Sequence, residues 1–535
     1  MQKIIINNPK DISLLSQDSD FTYSMLNMVY ENGIFKSTIN SDSEGKFSEG
    51  SLPTITFSSQ NKKRLGQLIL KSKSFMWGDS DDFANIVKTR ITLTEENGKS
   101  LIIEDLAIQE SENDFWKNRY FFDILNCLNI KIEVLSADDS SKKIQINEIG
   151  VTEYVKKGEF TKFKTFEIYE NTNILSDDAA VNTCNFTIVG EYSELLQENS
   201  EFDVIKDNSY YGRFIITKCE QSDINSFEIS AEDMKSKLKK FNYDKWRSNT
   251  SISAEKDIFL SSGVGIVNKY TGSFLGFVEN NSCLFGLCQI AWTLNKMIDS
   301  SRASFITLRN VPTEITSYIN NKNGRKKIIG DSKFTKSETF TQAKYKFIQY
   351  LLKDSAEKIG EFTAALSIPT KYYFPEAPCM FSHVEPSNIE ITDSSDNYVE
   401  LKTPGDTETS IAVYAFKYEP VITEIMIPNS KSYSANATTN EKIYDKYTLT
   451  PFDPYDSKGS VLDLKSPYIK KFIESPGTVS AKIVVENERV GDLVQIETAF
   501  SGTFTGIITS MVLHLGYTDV ADIEIRVWPE GGEDE

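Results

Sequence analysis

The chain has 535 residues, enough for three or four domains at the usual domain size. Hydrophobic residues make up 39% and aromatics 12%, which excludes a disordered chain, and the wealth of Val, Ile, Thr, Tyr and Phe favours strands. A formal net charge of −19 makes nucleic acid and anionic membrane poor partners. The same charge suits plain solubility or an acidic channel wall that does not hold DNA, and composition does not separate the two.

The N-terminus "MQKIIINNPKD" has neither a long apolar segment nor a cleavage site, so no signal peptide is expected. The longest apolar run, near "CLFGLCQIAW", is far short of a membrane span of about 20 residues. From 1 to 156 the pattern is strand after strand: "SLPTITFSS", "RLGQLILKS", "IVKTRITLTEENGKSLIIED", "NIKIEVLSADDSSKKIQINEIGVTEYV". Turn signals lie between them, and a β-sandwich is expected, with a short helix somewhere in 11–30. Trp77, Trp116 and Tyr120 fall in this section as candidate sugar-stacking residues, although core positions suit them as well. The ending "CLNIKIEVLSADDSSKKIQINEIGVTEY" resembles the last strands of discoidin-type jelly rolls, which implies a jelly-roll-like N-terminal domain.

From 157 to 245 further strands occur, including the hairpin "FDVIKDNSYYGRFIITKCE" at 202–220. From 246 to 435 the chain is mixed α+β. Its best helix is "SCLFGLCQIAWTLNKMI", where Leu284, Leu287, Ile290, Ala291, Leu294 and Ile298 recur at helical spacing. "QAKYKFIQYLLKD" and "SIAVYAFKYEP" read as strands. From 436 to 535 come a short helix at "SPYIKKFIES", strands, and an acidic tail "EGGEDE". Here "VGDLVQIETAFSGTFTGIITSMVLHL" at 490–515 repeats the earlier hairpin. Asp203, Gly212 and Phe214 are matched with Asp492, Gly502 and Phe504, the glycines as turn residues and the phenylalanines as core. The Asp-to-Gly spacing is 9 in one copy and 10 in the other, an ordinary loop difference. The alternative is chance similarity between two short apolar hairpins.

Catalytic patterns are scarce. His383, placed in a loop, and His514, in a strand, have no i+4 partner, and a histidine base for a triad is hard to find. Cys283 and Cys288 sit five apart on one apolar helix with no second pair, so helix packing is expected and no metal site. "GVG" at 263–265 lacks the rest of a phosphate-binding motif. Six scattered cysteines imply no disulfide framework. No cofactor is expected.

Gly491-Asp492-Leu493-Val494, Gly506-Ile507-Ile508-Thr509, the echo at 202–220 and the order helix, Ser301-Arg302, strand together resemble the tail hub proteins of phages and contractile injection machines. The resemblance spans about 157–530. It implies two related β-barrel hub domains after the N-terminal sandwich, within a mainly β, multidomain chain. It further implies a non-enzymatic virion component, assembled in the host cytoplasm, in a phage tail or a phage-tail-like bacteriocin. Such a protein forms a homotrimeric ring that joins the tail tube protein to a spike, tail-tip protein or fibres, with other baseplate proteins and cell-surface carbohydrate as further partners. A receptor-binding tail fibre or carbohydrate-binding adhesin, and a cell-wall glycan hydrolase using a carboxylate pair, remain the alternative classes.

Overall fold

The computed structural model describes residues 2–529 apart from 17–19, 74–81, 105–106, 113–114, 176–178, 191–193, 246–248, 269–271, 322–326, 339, 366, 404–407, 431–440, 445–449, 452–466, 499–501 and 517. Strands dominate, in several sheets. In the N-terminal section β1 (Gln2–Ser13), β2 (Thr54–Lys73), β3 (Phe115–Ala137) and β4 (Glu148–Phe160) carry most of the fold. β2 and β3 run antiparallel from Phe115 opposite Lys73 to Glu133 opposite Thr54, with bulges that bend the pair. Alternation puts Leu65, Leu68, Phe122, Ile130 and Ile132 inside one core. The helix expected in 11–30 is not formed. The strands Phe21–Leu26 and Met28–Glu31 lie there, and Asn32-Gly33 turns the latter back onto Ile34–Ser37 with φ of 53° and 82°. That is the Asn-Gly hairpin geometry, and it overrides the weak helical spacing.

β1 does not stay within this section. Its later residues pair with β4, but Gln2–Ile5 pair with Asp203–Lys206 in the next section. Ile4 and Ile6 are accordingly buried in the core of that next section.

This second core is built from two units. The first holds β6 (Thr183–Val189), β7 (Glu201–Lys206), β8 (Ser209–Asp223) and β9 (Ser226–Asp233), preceded by β5 (Phe163–Asn171). Its strand order is β6-β9-β8-β7. Between the units lie the helices α1 (Lys235–Lys240), α2 (Ser251–Ser262) and α3 (Cys283–Thr293) and a long two-stranded ribbon, β10 (Gln342–Leu352) with the second half of β11 (Thr409–Pro428). The second unit holds β12 (Gly477–Val484), β13 (Leu493–Thr498), β14 (Gly502–His514) and β15 (Val520–Val527), in the order β12-β15-β14-β13. All pairings in both units are antiparallel, and the winding is the same.

The registers of the two hairpins align from their open ends up to Val204 and Ile496. Glu201 faces Ile215 as Leu493 faces Ile507, and Val204 faces Gly212 as Ile496 faces Phe504. Over Glu201–Val204 and Gly212–Ile215 the equivalent residues are 292 apart; past Val204 the first hairpin bulges and the second does not. Each long strand bulges at the same point, between Ile216 and Lys218 and between Ile508 and Ser510. The bulge residue is threonine both times. Thr217 Oγ1 donates to Ser230 O at 3.0 Å, and Thr509 Oγ1 donates to Glu524 O at 3.3 Å. A shared bulge with a shared side-chain bond is a strong structural match, since bulges set the local twist of a ladder.

This register corrects part of the sequence matching. The Ile-Ile-Thr segments correspond, but Asp203 is matched by Gln495, Gly212 by Phe504 and Phe214 by Gly506, while Asp492 falls opposite Ser200. The first hairpin turns at Asp207-Asn208, both at positive φ, and Gly212 sits in the strand beside a bulge. A turn placed at Gly212 puts the apparent match out of step.

α3 starts where Ser282 Oγ accepts from Phe285 N at 3.2 Å, an N-cap. It is apolar on nearly all sides and buried throughout apart from Phe285. It ends earlier than its spacing predicts: Asn295 takes φ 53°, and Lys296–Asp299 continue as a strand against Ile306–Asn310. Leu294 and Ile298 are therefore off the helix, because an Asn in the left-handed region stops it. A short helix covers 467–473. His383 lies in the strand Cys379–Glu385, not a loop, with its ring stacked 4.6 Å from Tyr414.

The two units share one core, in which Phe186, Val204, Phe214, Ile216 and Ile229 meet Val479, Ile496, Ile508, Met511 and Ile525. Ile508 is 0% exposed. Ile508→Ala is expected to lower unfolding stability by about 2–5 kcal/mol, read as a lower urea midpoint. A loss under about 1 kcal/mol would show that this shared core is not packed as described.

Candidate functional site: the joint between the units

β5 joins the units. One edge pairs with β6, Ile168 facing Cys184, and the other pairs with the far half of β14, Ile168 facing Leu513 and Glu170 facing Met511. On the outer face Glu167 meets His514 Nδ1 at 3.1 Å, and Asp522 meets its Nε2 at 2.8 Å. His514 thus belongs to a polar seam between the units.

The loop from Asp299 to Ser304, directly after the strand that succeeds α3, ties three parts of the molecule together. Ser300 Oγ donates to Asp233 of the first unit at 2.5 Å. Ser304 donates from its backbone N and its Oγ to Asp123 of the N-terminal sandwich, both at 2.7 Å. Arg302, held at φ 55°, donates from Nη2 to Glu488 O of the second unit at 2.8 Å, lies 5.6 Å from the Tyr211 ring and 4.0 Å from Glu170. Arg309 lies between Asp299 at 3.1 Å and Asp492 at 3.6 Å. Asp519 of the second unit accepts from Lys206 and from Tyr211 of the first, the latter at 2.6 Å. Glu488 accepts from Lys327 and from Ser317 Oγ at 2.6 Å. Burial by itself would raise the Glu488 carboxyl, but these bonds hold it down at about 2.

A second buried cluster locks the N-terminal sandwich on. Asp203, 1% exposed, accepts from Arg64 of β2, Asn7 of β1, Arg213 at 3.0 Å and Tyr210 at 2.7 Å. Tyr154 of β4 lies under both guanidinium groups, 4.7 Å from Arg64 and 4.1 Å from Arg213. Burial opposes ionisation of Asp203, yet the two arginines outweigh it and keep the carboxyl well below the carboxylate range. The sequence presents Asp203 as a repeat position; its role in the fold is that of a clamp. The signal missed is the company of arginines and a tyrosine scattered over 150 residues, which no local pattern joins.

Glu170 is the unbalanced group. No donor reaches its two carboxylate oxygens among the described residues. Burial dominates over the nearby Arg302 and pushes it up to about 7. No group of metal-ligating side chains occurs among the described residues. Tyr120 is 3% exposed inside the sandwich core, where burial pushes its phenol up to about 12, so it cannot stack on a sugar. Trp116 is half-buried on β3, and Trp77 lies outside the described residues, as does the acidic tail. Phe214 is buried against Phe202, and half-buried Phe504 stacks on Phe334 with centroids 5.3 Å apart. Gly502, at φ 88°, opens β14 opposite Thr498.

No family model matches the chain, and no curated protein matches it. Several solved structures are similar to it. Among them are a tail protein from Neisseria meningitidis MC58 (TM-score 0.44, 7% identity, 69% of this chain and 95% of that one), the 43 kDa tail protein of prophage MuSo2 from Shewanella oneidensis (0.40, 7%, 69% and 95%), and prophage tail protein gp18 from Listeria monocytogenes EGD-e (0.38, 11%, 69% and 91%).

The buried charges make two effects measurable. Asp203→Ala leaves two arginines uncompensated and is expected to cost about 3–5 kcal/mol, measured by chemical denaturation. Glu170 binds its proton more tightly folded than unfolded, since its folded value lies above the ordinary 4.5. Its contribution is therefore complete below about pH 4.5 and lost as pH rises through about 7. Glu170→Gln should remove that slope and raise Tm at pH 8, by up to roughly 3 kcal/mol of stability; an unchanged Tm-versus-pH curve would refute the assignment.

Proposed function

We propose that the chain is a structural tail hub: three copies form a ring whose six similar units join a tail tube to a spike or fibres, with no catalysis. The observation that carries this is the pair of units with one winding, one register and one bulge in a single core. A chain with two equivalent units can sit in a threefold ring and present six similar faces, the closed symmetry that mates a sixfold partner to a threefold one. The buried clamps support a rigid subunit of this kind, since they leave the units and the sandwich little freedom to move apart. In this reading the sandwich, fastened through Asp203 and Asp123, is the arm that contacts neighbouring baseplate proteins. Burial of Tyr120 takes away part of the aromatic platform on which a sugar-binding reading rested.

The test is native mass spectrometry with negative-stain imaging. A particle of three 60.6 kDa chains, with six lobes in projection, is the expected result. Monomers alone, even with tube protein present, would overturn the proposal.

A further inference from the structure

The equivalence of the two units extends to the strand that joins them. β5 pairs with β6 so that Glu167, Ile168 and Tyr169 face Asn185, Cys184 and Thr183. In the second unit the strand Lys333–Lys336 pairs with β12 so that Lys333, Phe334 and Thr335 face Ser480, Val479 and Thr478. Cys184 and Val479 are themselves equivalent, since each faces the residue that pairs with the matched isoleucines Ile216 and Ile508. Lys333–Lys336 is therefore the second unit's counterpart of 167–170.

The counterpart of β14's far half, 510–514, is 218–222 on β8. Inside the chain β5 covers the edge of 510–514. The two counterparts are left open. Lys333–Lys336 pair with β12 alone, and 218–222 pair with β9 alone, among the described residues. Their exposure differs in the same sense. Ile168, Glu170, Met511 and Leu513 are buried, while Lys333–Lys336 and Lys218, Glu220, Gln221 and Ser222 are exposed. Bare edges with free backbone donors and acceptors are templates for pairing.

We propose that Lys333–Lys336 of one copy pairs antiparallel with 219–222 of the next, so that the joint within the chain recurs between chains. This rests on the ring reading above. The internal ladder sets the register: Glu170 facing Met511 becomes Lys336 facing Cys219, and Tyr169 facing Val512 becomes Thr335 facing Glu220. Phe334, 36% exposed, is covered as Ile168 is. The charges fit. Glu220 lies directly opposite Glu228, an unfavourable like pair that Lys218 relieves from one side at 2.8 Å. The incoming strand brings Lys333, which faces Ser222 as Glu167 faces His514, diagonal to Glu220, where opposite charges attract. Three joints inside chains and three between them close a ring of six units.

The register makes the test simple, because the neighbour already supplies Cys219. Facing residues of an antiparallel pair have Cα atoms about 4.5–5.5 Å apart, within disulfide reach. Full-length Lys336→Cys, mildly oxidised, is expected to give covalent dimers and trimers on a non-reducing gel. Adding Cys219→Ser should abolish them, and Thr335→Cys, whose side chain points to the other face, should give none with Cys219. As a second measurement, Glu220→Lys should cost the trimer signal at low salt and Lys333→Glu in the same chain should restore it. A native trimer that forms no Lys336→Cys crosslink overturns this edge pairing and leaves the ring standing. A protein that is monomeric under all these conditions overturns both.

Discussion

The molecule depends on the loop from Asp299 to Ser304. Within six residues it bonds Asp233 in the first unit, Glu488 in the second and Asp123 in the sandwich. Short polar side chains and one arginine do this because buried polar groups must find partners, and here the available partners lie on three different parts of the fold. The left-handed backbone at Arg302 turns its side chain into the seam between Glu170 and Tyr211. A non-glycine residue in that conformation is held there by its surroundings.

Around that loop the two units differ in how they are held. The first is clamped to the sandwich through one carboxylate shared by two arginines, a buried arrangement that is costly to break even where it is a small net gain to make. The second is tied to the first by backbone, through β5, and by salt bridges along its edges. Glu170 stands where the two schemes meet, buried, 4.0 Å from Arg302 and short of hydrogen bonds. Burial and Asp299 favour its neutral form, while Arg302, Arg489 and Lys235 favour the charged one. Burial wins because the guanidinium is spread over Glu488 and Tyr211 as well.

Much of the chain is legible in its sequence. Alternation identifies the strands of the sandwich, and an apolar stretch after a serine identifies α3. The Ile-Ile-Thr echo points to a duplicated hairpin, and Ser301-Arg302 marks the loop that proves central. The misreadings have local causes. A left-handed Asn295 cuts the helix short, an Asn-Gly turn replaces a helix in 11–30, and Asp207-Asn208, not Gly212, makes the first turn. Short-range preferences that depend on the sign of φ are weakly written in residue type.

The sequence by itself determined that the chain is mainly β and where many of its strands lie, and it pointed to a repeated Ile-Ile-Thr segment, because local periodicity dictates these. Tertiary structure alone decided that the units share a core, that β1 leaves its own section to join the next, and that Asp203 is a clamp. Those outcomes depend on contacts between residues as far apart as Arg64 and Asp203, or Lys206 and Asp519. Burial and charge partnership are properties of assembled surfaces, and no local pattern in the chain encodes them.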